Sequence, residues 1–385
     1  MIKLNFWQKK EKFLILEVFG EKSSGFLLSL DEEKNLKIEK HWLEFSWKNL
    51  SRRFLRHLEK WKVVVSADPN FASTVSVPIK LEREAGMTRS PLSSIELENL
   101  LAQMSAKLFT QVRGEASQEL GIDELDTILI DNRVSNFKID GHHVLNPLDF
   151  KAKRLEALLE LTLTTRSIFE DWKNFFNIGQ VKNFFFTESA RSELLALKRF
   201  KSLPVNLLVL NSGEFSHFFT LEKAAVGEVI HRHRIKWSTS RFLEIIEKNF
   251  GVSRKVSSNL YNLFLEKGLS PRLERHIGVL LKPALDQLVK NLEHLKVKGH
   301  IYIDSSLNLP SSLSLRKIKA VTKKLPTDEL TEHLGFKIEG EANWPWPKDQ
   351  IFKHLAPFIE FYYNNEDLSI NHWLRRRLHW LGSSK

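Results

Sequence analysis

The stretch from Val205 to Ser240, VNLLVLNSGEFSHFFTLEKAAVGEVIHRHRIKWSTS, constrains the fold more than any other part of the chain. Asn206–Leu210 reads as a buried strand, and Asn211-Ser212-Gly213-Glu214 supplies turn chemistry directly behind it. Phe215–Leu221 reads as a second strand. A hairpin around Gly227 leads to a third, Glu228–Lys236, and a helix begins after Ser238. Strand, glycine turn, strand, hairpin, strand and helix is a mixed α/β order with a loop set at the end of a buried strand.

The chain has 385 residues, enough for two or more domains around large cores. Hydrophobic residues make up 42% and charged residues 27%, which fits a globular chain and argues against global disorder. Cysteine is absent, so a disulfide framework and thiolate metal sites are excluded. Apolar runs such as Phe13–Leu16 and Ile277–Leu281 fall far short of the ~20 residues that cross a bilayer. The basic start is followed at once by Glu17 and Glu21, with no small-residue cleavage site, so no signal peptide is expected. The formal charge of +11 points to an anionic partner or to a strongly solvated surface.

Ahead of the central stretch, Phe13–Phe19 and Gly25–Leu30 read as a hairpin, Leu36–Trp42 as a third strand, and Trp47–Trp61 as a helix. Lys62–Ser66 and Val75–Arg83 are expected strands. Ser93-Ser94 caps a helix over Ile95–Val112. Thr127–Ile130 and Val134–Ile139 read as two strands parted by a turn at Asp131–Arg133; Asp140-Gly141 and Asn146-Pro147 are further turns. Arg154–Thr164 is a strand, Arg166–Phe176 a helix, Val181–Phe186 a strand and Ser189–Phe200 a helix. After the centre come helices at Thr239–Asn249, Val256–Lys267 and Arg272–Leu295, a strand at His300–Asp304, and helices at Ser314–Leu325 and Asp349–Tyr363.

Three segments carry a resemblance. Leu14–Leu30 has the place of a first phosphate hairpin. Ile128–Thr162, with its Asp-Gly and Asn-Pro turns, is similar to an inserted subdomain. The central stretch is followed by His300–Leu313, an apolar strand running into Ser305-Ser306. In this order and spacing the chain resembles the FtsA family of actin-like division proteins and, more distantly, its relative PilM of type IV pilus assembly. The resemblance implies a two-lobed actin-like, ribonuclease-H-like ATPase fold with an inserted α+β subdomain and a C-terminal amphipathic helix. It implies a first lobe over 1–83 and 154–204, an inserted subdomain over 84–153, a second lobe over 205–363, and a linker with a membrane-targeting helix over 364–385. It further implies ATP with Mg²⁺ as ligand, self-association, and a place on the inner face of the cell membrane. The partner it implies is an FtsZ-like filament or a pilus assembly protein.

The departures shape the functional expectation. Glu17 falls on the family's acid, but Phe19 falls on a glycine that lets backbone approach phosphate; Gly20 and Ser23 are what remain there. In the second loop Leu210 or Asn211 stands where a carboxylate is expected, and Ser212-Gly213-Glu214 replaces a glycine run. Ser305 and Ser306 replace the two glycines of the adenosine loop. The expectation is a degenerate site that leaves at most weak ATP–Mg²⁺ binding, with no catalytic residue assigned. Between the second-lobe helices, Phe250–Arg272 offers only helices where FtsA carries a subdomain for the FtsZ tail.

The stretch DLSINHWLRRRLHWLGSSK, Asp367–Lys385, has Ser369 to start a helix and Gly382 to stop it. At helical spacing Ile370, Trp373, Leu374, Leu378, Trp380 and Leu381 gather on one side, with Arg375 and Arg376 opposite and Arg377 inside the apolar sector, where its stem can snorkel. Boundary tryptophans and a cationic face suit a helix lying in the headgroup plane of an anionic membrane. Rival readings are a helix docked on the body and, less favoured, arginines on nucleic acid. His142 and His143 point to opposite faces of one strand, and His231 with His233 lacks a third ligand, so no metal site is expected. Phe184–Phe186 and Phe218-Phe219 read as core strands.

Overall fold

β1 (Glu11–Phe19) is buried from Phe13 to Val18, on both of its faces, which makes it a central strand. It hairpins to β2 (Lys22–Leu30), and β2 pairs antiparallel with β3 (Asn35–Phe45). On its other edge β1 pairs in parallel with β4 (Lys62–Ala67). In this computed structural model the residues described are 10–19, 22–45, 60–84, 86, 88–178, 184–295, 297, 299–305, 307–310, 320–340, 344–364 and 371. The helix expected over Trp47–Trp61 falls almost wholly outside them.

β5 (Ala72–Glu82), α1 (Ser94–Leu120), β6 (Thr127–Ile139), β7 (His142–His143) and β8 (Arg154–Thr165) build a separate antiparallel sheet, in the order β5-β8-β6-β7. Leu97, Leu101, Leu108 and Val112 of α1 share one core with the inward residues of that sheet. The two strands expected over Thr127–Ile139 are one. Asp131, Asn132 and Arg133 read as a turn because they are polar, yet all three are buried and hydrogen-bonded inside the strand. The ladder accommodates them with register shifts between Leu129 and Asp131 and between Ser135 and Lys138. The helix α1 also runs past its expected end at Val112, to Gly121, whose φ of 69° closes it as a left-handed cap.

α2 (Arg166–Ile178) leads back to β9 (Phe184–Glu188), parallel to β4, and α3 (Ser189–Leu197) follows. The central stretch then forms β10 (Val205–Leu210), β11 (Ser216–Ala224) and β12 (Gly227–Ile235), with α4 (Ser240–Phe250), α5 (Arg254–Leu265) and α6 (Pro271–Glu293) behind it. β13 (His300–Ser305) pairs in parallel with β10, and β14 (Val321–Lys324) with β13. Val321–Lys324 was expected within a helix; its residues instead extend the parallel edge of the sheet. Residues 314–319 of that expected helix lie outside the described residues. The chain closes with α7 (Thr327–Leu334), β15 (Lys337–Glu339) and α8 (Ile351–Tyr362).

The two larger sheets repeat one plan. Their orders are β3-β2-β1-β4-β9, with β15 added outside β3, and β12-β11-β10-β13-β14. In each, the first strand in sequence is central, hairpins to an antiparallel neighbour on one edge and takes two parallel strands on the other. That is the ribonuclease-H-like plan, present twice. The chain divides into two units. The first comprises Met1–Phe200, Glu222–Ile230 and Thr327–Lys385, and the second Lys201–Leu221 and His231–Pro326.

In the first unit β1 has two different faces. Leu14, Leu16 and Val18 pack with Val63, Val65, Trp172 and Phe186. On the opposite face Phe13 meets Phe358 of α8 edge-to-face, ring centroids 4.9 Å apart. Burial of each such ring stabilises by roughly 1.5–3 kcal/mol. This face is why residues 327–362, expected within the second lobe, fold with the first strands of the chain. In the second unit Trp237 meets Phe242 edge-to-face and Phe242 stacks on Tyr261, in one core with residues of β10 and β11, and Trp237 Nε1 donates to the Ala284 carbonyl at 2.8 Å.

Candidate functional site

The first candidate bend is the β1–β2 hairpin. Register pairs Glu17 with Ser24 and Val18 with Ser23. Alternation along β1 puts Glu17 on the same face as Phe13, toward α8. There its Oε2 accepts from Ser24 Oγ at 2.7 Å, and its Oε1 lies 2.5 Å from Nδ1 of His354, which donates to it. His354 is held in turn by a stack on Trp346, centroids 3.9 Å apart, and Trp346 sits edge-on to Phe26 at 4.9 Å. Burial pushes the Glu17 carboxyl up; the His354 charge and hydrogen bond, the Ser24 hydroxyl and the Lys353 charge outweigh it and hold the group below its ordinary range. Ser23 is buried, and its Oγ has no hydrogen-bond partner among the described residues. Phe19 is 44% exposed and pairs with Lys22. Gly20 lies outside the described residues.

The second unit carries the other two bends. Leu210, at the end of β10, is fully buried in the core. The next residue, Asn211, has its carbonyl taken by the backbone N–H of Thr239 at 2.9 Å and by the Thr239 hydroxyl at 3.0 Å. Ser212's carbonyl accepts from Ser238 Oγ at 3.1 Å. The turn is thus stapled to the residues that lead into α4. A Cβ built on Gly213 would meet nothing of the chain within 4 Å, so the chain's own packing there does not demand a glycine. Glu214 and Lys236 lie 3.8 Å apart at the surface, a pair of small energetic weight. Leu210 is in register with Ser305 of β13, which brings Asn211 and Ser305 together at the C-terminal ends of these two strands. Ser305 Oγ donates to the Leu307 carbonyl and accepts from the Leu307 N–H at 3.3 Å, closing its own turn. Ser306 is outside the described residues.

A cluster that sequence spacing did not reveal sits in the first unit. Arg133 of β6 pairs with Asp131 and with Glu360 of α8, each at 2.7 Å, and donates to the Phe186 carbonyl of β9. Arg191 of α3 pairs with Glu160 of β8 at 2.7 Å and also with Glu360. Thr187 Oγ1 donates to the second Glu360 oxygen at 2.6 Å, and Glu188 accepts the Thr74 N–H at 2.9 Å. Burial pushes Glu160 up, and Arg191 with its hydrogen bond more than reverses that, holding the carboxyl low. This buried network joins the β5–β8 sheet to β9, α3 and α8. Its partners lie up to 227 positions apart, beyond the reach of any local pattern. The signal available in sequence was the polar triplet Asp131-Asn132-Arg133 set inside an apolar run.

Of the expected membrane segment, Ile370, Trp373, Leu374, Arg375, Arg376, Arg377, Leu378, Trp380 and Leu381 lie outside the described residues. Asn371 is within them and is 2% exposed. Its Oδ1 accepts the Val134 N–H at 2.9 Å, and its Nδ2 donates to the Val134 carbonyl at 3.3 Å. His142, His143, His231 and His233 are all exposed. Among the described residues no three His, Asp or Glu side chains gather as a metal site, and no helix is long and apolar enough to cross a membrane.

No family model matches the chain, and no curated protein matches it. Solved structures do. A PilM–PilN type IV pilus biogenesis complex is similar over 95% of this chain and 98% of that one, with a TM-score of 0.51 and 11% identity. A diol dehydratase-reactivating factor in nucleotide-free form is similar over 91% and 100%, with a TM-score of 0.41 and 6% identity. A Bacteroides thetaiotaomicron protein of unknown function with an actin-like ATPase fold is similar over 87% and 98%, with a TM-score of 0.35 and 8% identity. The sheet plan repeated in two units, together with the whole-length likeness to the first of these, gives this chain an actin-like ATPase fold with an inserted antiparallel sheet and helix.

Proposed function

We propose that the chain is a scaffold of the pilus-assembly kind. In this reading it holds protein partners at an anionic membrane surface and does not turn over ATP. The observation that carries the loss of turnover is the state of Glu17. Both of its oxygens are engaged inside the unit, by Ser24 and His354, on the face turned to α8. A carboxylate so committed does not fit a role in holding Mg²⁺ through water. The second bend supports the same reading: Leu210 is core, and the Asn211 carbonyl is stapled to Thr239.

Likeness over 95% of the chain to a PilM–PilN complex supports protein binding in place of catalysis. The segment from 367 to 385 supports a peripheral membrane contact, since each basic residue near an anionic leaflet contributes ~1 kcal/mol. Self-association would multiply that weak anchor through avidity. The FtsA-like division role is the second reading, and the tryptophan–arginine pattern of that same segment is what favours it.

Deleting the gene in its own cells separates the two. Lost pilus assembly with normal division is the expected result, and undivided filamentous cells would reverse the choice. Titration with Mg·ATP is expected to give no micromolar binding and no phosphate release; tight binding with turnover would overturn the non-catalytic reading.

A further inference from the structure

The charge of the chain is not shared between its two units. Of the 58 Lys and Arg residues 20 fall in the second unit, and of the 47 Asp and Glu residues only 8. The second unit therefore carries +12, and the first, though longer, carries −1. A surplus of that size confined to one unit marks it as the part that meets an anionic surface.

Within the second unit α6 presents part of that surplus on one side. Ile277, Leu281, Ala284, Leu288 and Leu292 turn one side of the helix into the core of the unit. At about 100° per residue Arg272, Arg275, Lys282 and Lys290 fall together on the outer side, with Val279 among them. The four cations are exposed. Among the described residues none of them has an ion pair or a side-chain hydrogen bond, although Asp286 and Glu293 stand on the same side of the helix. Val279 is 65% exposed. A groove of about 740 Å³ opens alongside, lined by Arg275, Gly278, Val279 and Lys282 together with Phe264 of α5. α5 itself exposes Val256 and Leu263, seven residues apart and so on one side of that helix. Apolar side chains standing among unpaired cations suit a lipid interface, where phosphates take the cations and the acyl boundary takes the apolar groups. A nucleic acid would use the cations and leave Val279 in water.

We infer that the outer side of α6 is a membrane-facing surface, by which the second unit lies on an anionic bilayer independently of residues 367–385. The inference deepens the membrane reading proposed above and rests on it. Because the cations are exposed, this contact weakens as salt rises.

The test compares the full chain with its Arg275→Gln/Lys282→Gln variant in co-sedimentation with phosphatidylglycerol and phosphatidylcholine vesicles. The parent is expected to bind phosphatidylglycerol alone. The double variant is expected to bind it roughly 25-fold less tightly, about fivefold for each charge removed. Val279→Gln changes no charge and is expected to weaken the same binding. Melting temperatures equal to the parent's are expected, since these side chains are exposed; should the first pair disturb folding, Arg272→Gln/Lys290→Gln gives the same reading from the same side of α6. Parental vesicle binding by the double variants would overturn the α6 surface and leave the membrane reading to residues 367–385. No binding of the parent to phosphatidylglycerol would overturn both. Binding of the parent to duplex DNA and to no vesicle, lost in the double variant and kept in Val279→Gln, would assign the surface to nucleic acid and overturn the lipid assignment.

Discussion

Glu17 and His354 form a buried pair from opposite ends of the chain, 337 positions apart. Removing one partner of such a pair leaves an uncompensated buried charge, so His354→Ala is expected to cost about 3–5 kcal/mol in urea denaturation. The pair also sets an acid limit. Glu17's carboxyl is held below its ordinary range in the folded chain, so the unfolded chain binds the proton more readily. Its contribution is therefore full above the ordinary carboxylate range and fades as pH falls through the lower folded value. Glu17→Gln should flatten that limb of a stability–pH curve. His217 acts at milder acidity. It is fully buried, and burial, then Arg232 and Arg234, keep it well below its ordinary value; Arg232 Nη2 donates to its Nδ1 at 3.2 Å. The unfolded histidine takes up a proton below about pH 6.5 while the folded one resists it, so stability is expected to fall as pH drops through that point. A melting series from neutral to mildly acid pH on the parent and His217→Gln checks this: the variant should lose less.

At the scale of elements, α1 shows how a local signal is partly redirected. Ser93 and Glu96 have capping-box spacing, and Ser93 Oγ accepts the Glu96 N–H at 3.2 Å as that motif requires. Glu96's carboxylate, however, takes Arg83 in two bonds of 2.7 Å each. Arg83 also donates to the carbonyls of Ser90 and Ala152, so it ties the end of β5 to the start of α1 and to the approach to β8. Ser93→Ala is therefore expected to cost ~1 kcal/mol. Arg83→Met should cost roughly 3 kcal/mol, since it strips a buried charge partner and two carbonyl bonds. Thermal unfolding of the two variants should rank them in that order. The start of α1 was legible in the sequence because a cap and an apolar stripe are local. The unity of β6 was not. Asp131-Asn132-Arg133 has the composition of a turn, and only the partners Ser105 and Glu360 explain why it stays extended and buried.

Over the whole first unit, the inserted sheet is fastened to the lobe through charge. Glu360 alone receives Arg133, Arg191 and the Thr187 hydroxyl. Glu360→Ala is expected to cost about 3–5 kcal/mol in chemical denaturation, because two buried guanidinium groups lose their shared acceptor. A double-mutant cycle with Arg133→Met should recover part of that loss, as residues of one network do not add independently. The sequence by itself determined the meander of the central stretch, the turn behind β10 and the cap of α1, because periodicity and turn chemistry act over a few residues. Only the tertiary structure decided that Glu17 faces a histidine, that a polar triplet belongs inside a strand, and that Asn371 sits on Val134. Those outcomes depend on which distant segment covers a polar group and excludes water from it, and no spacing within either segment records that.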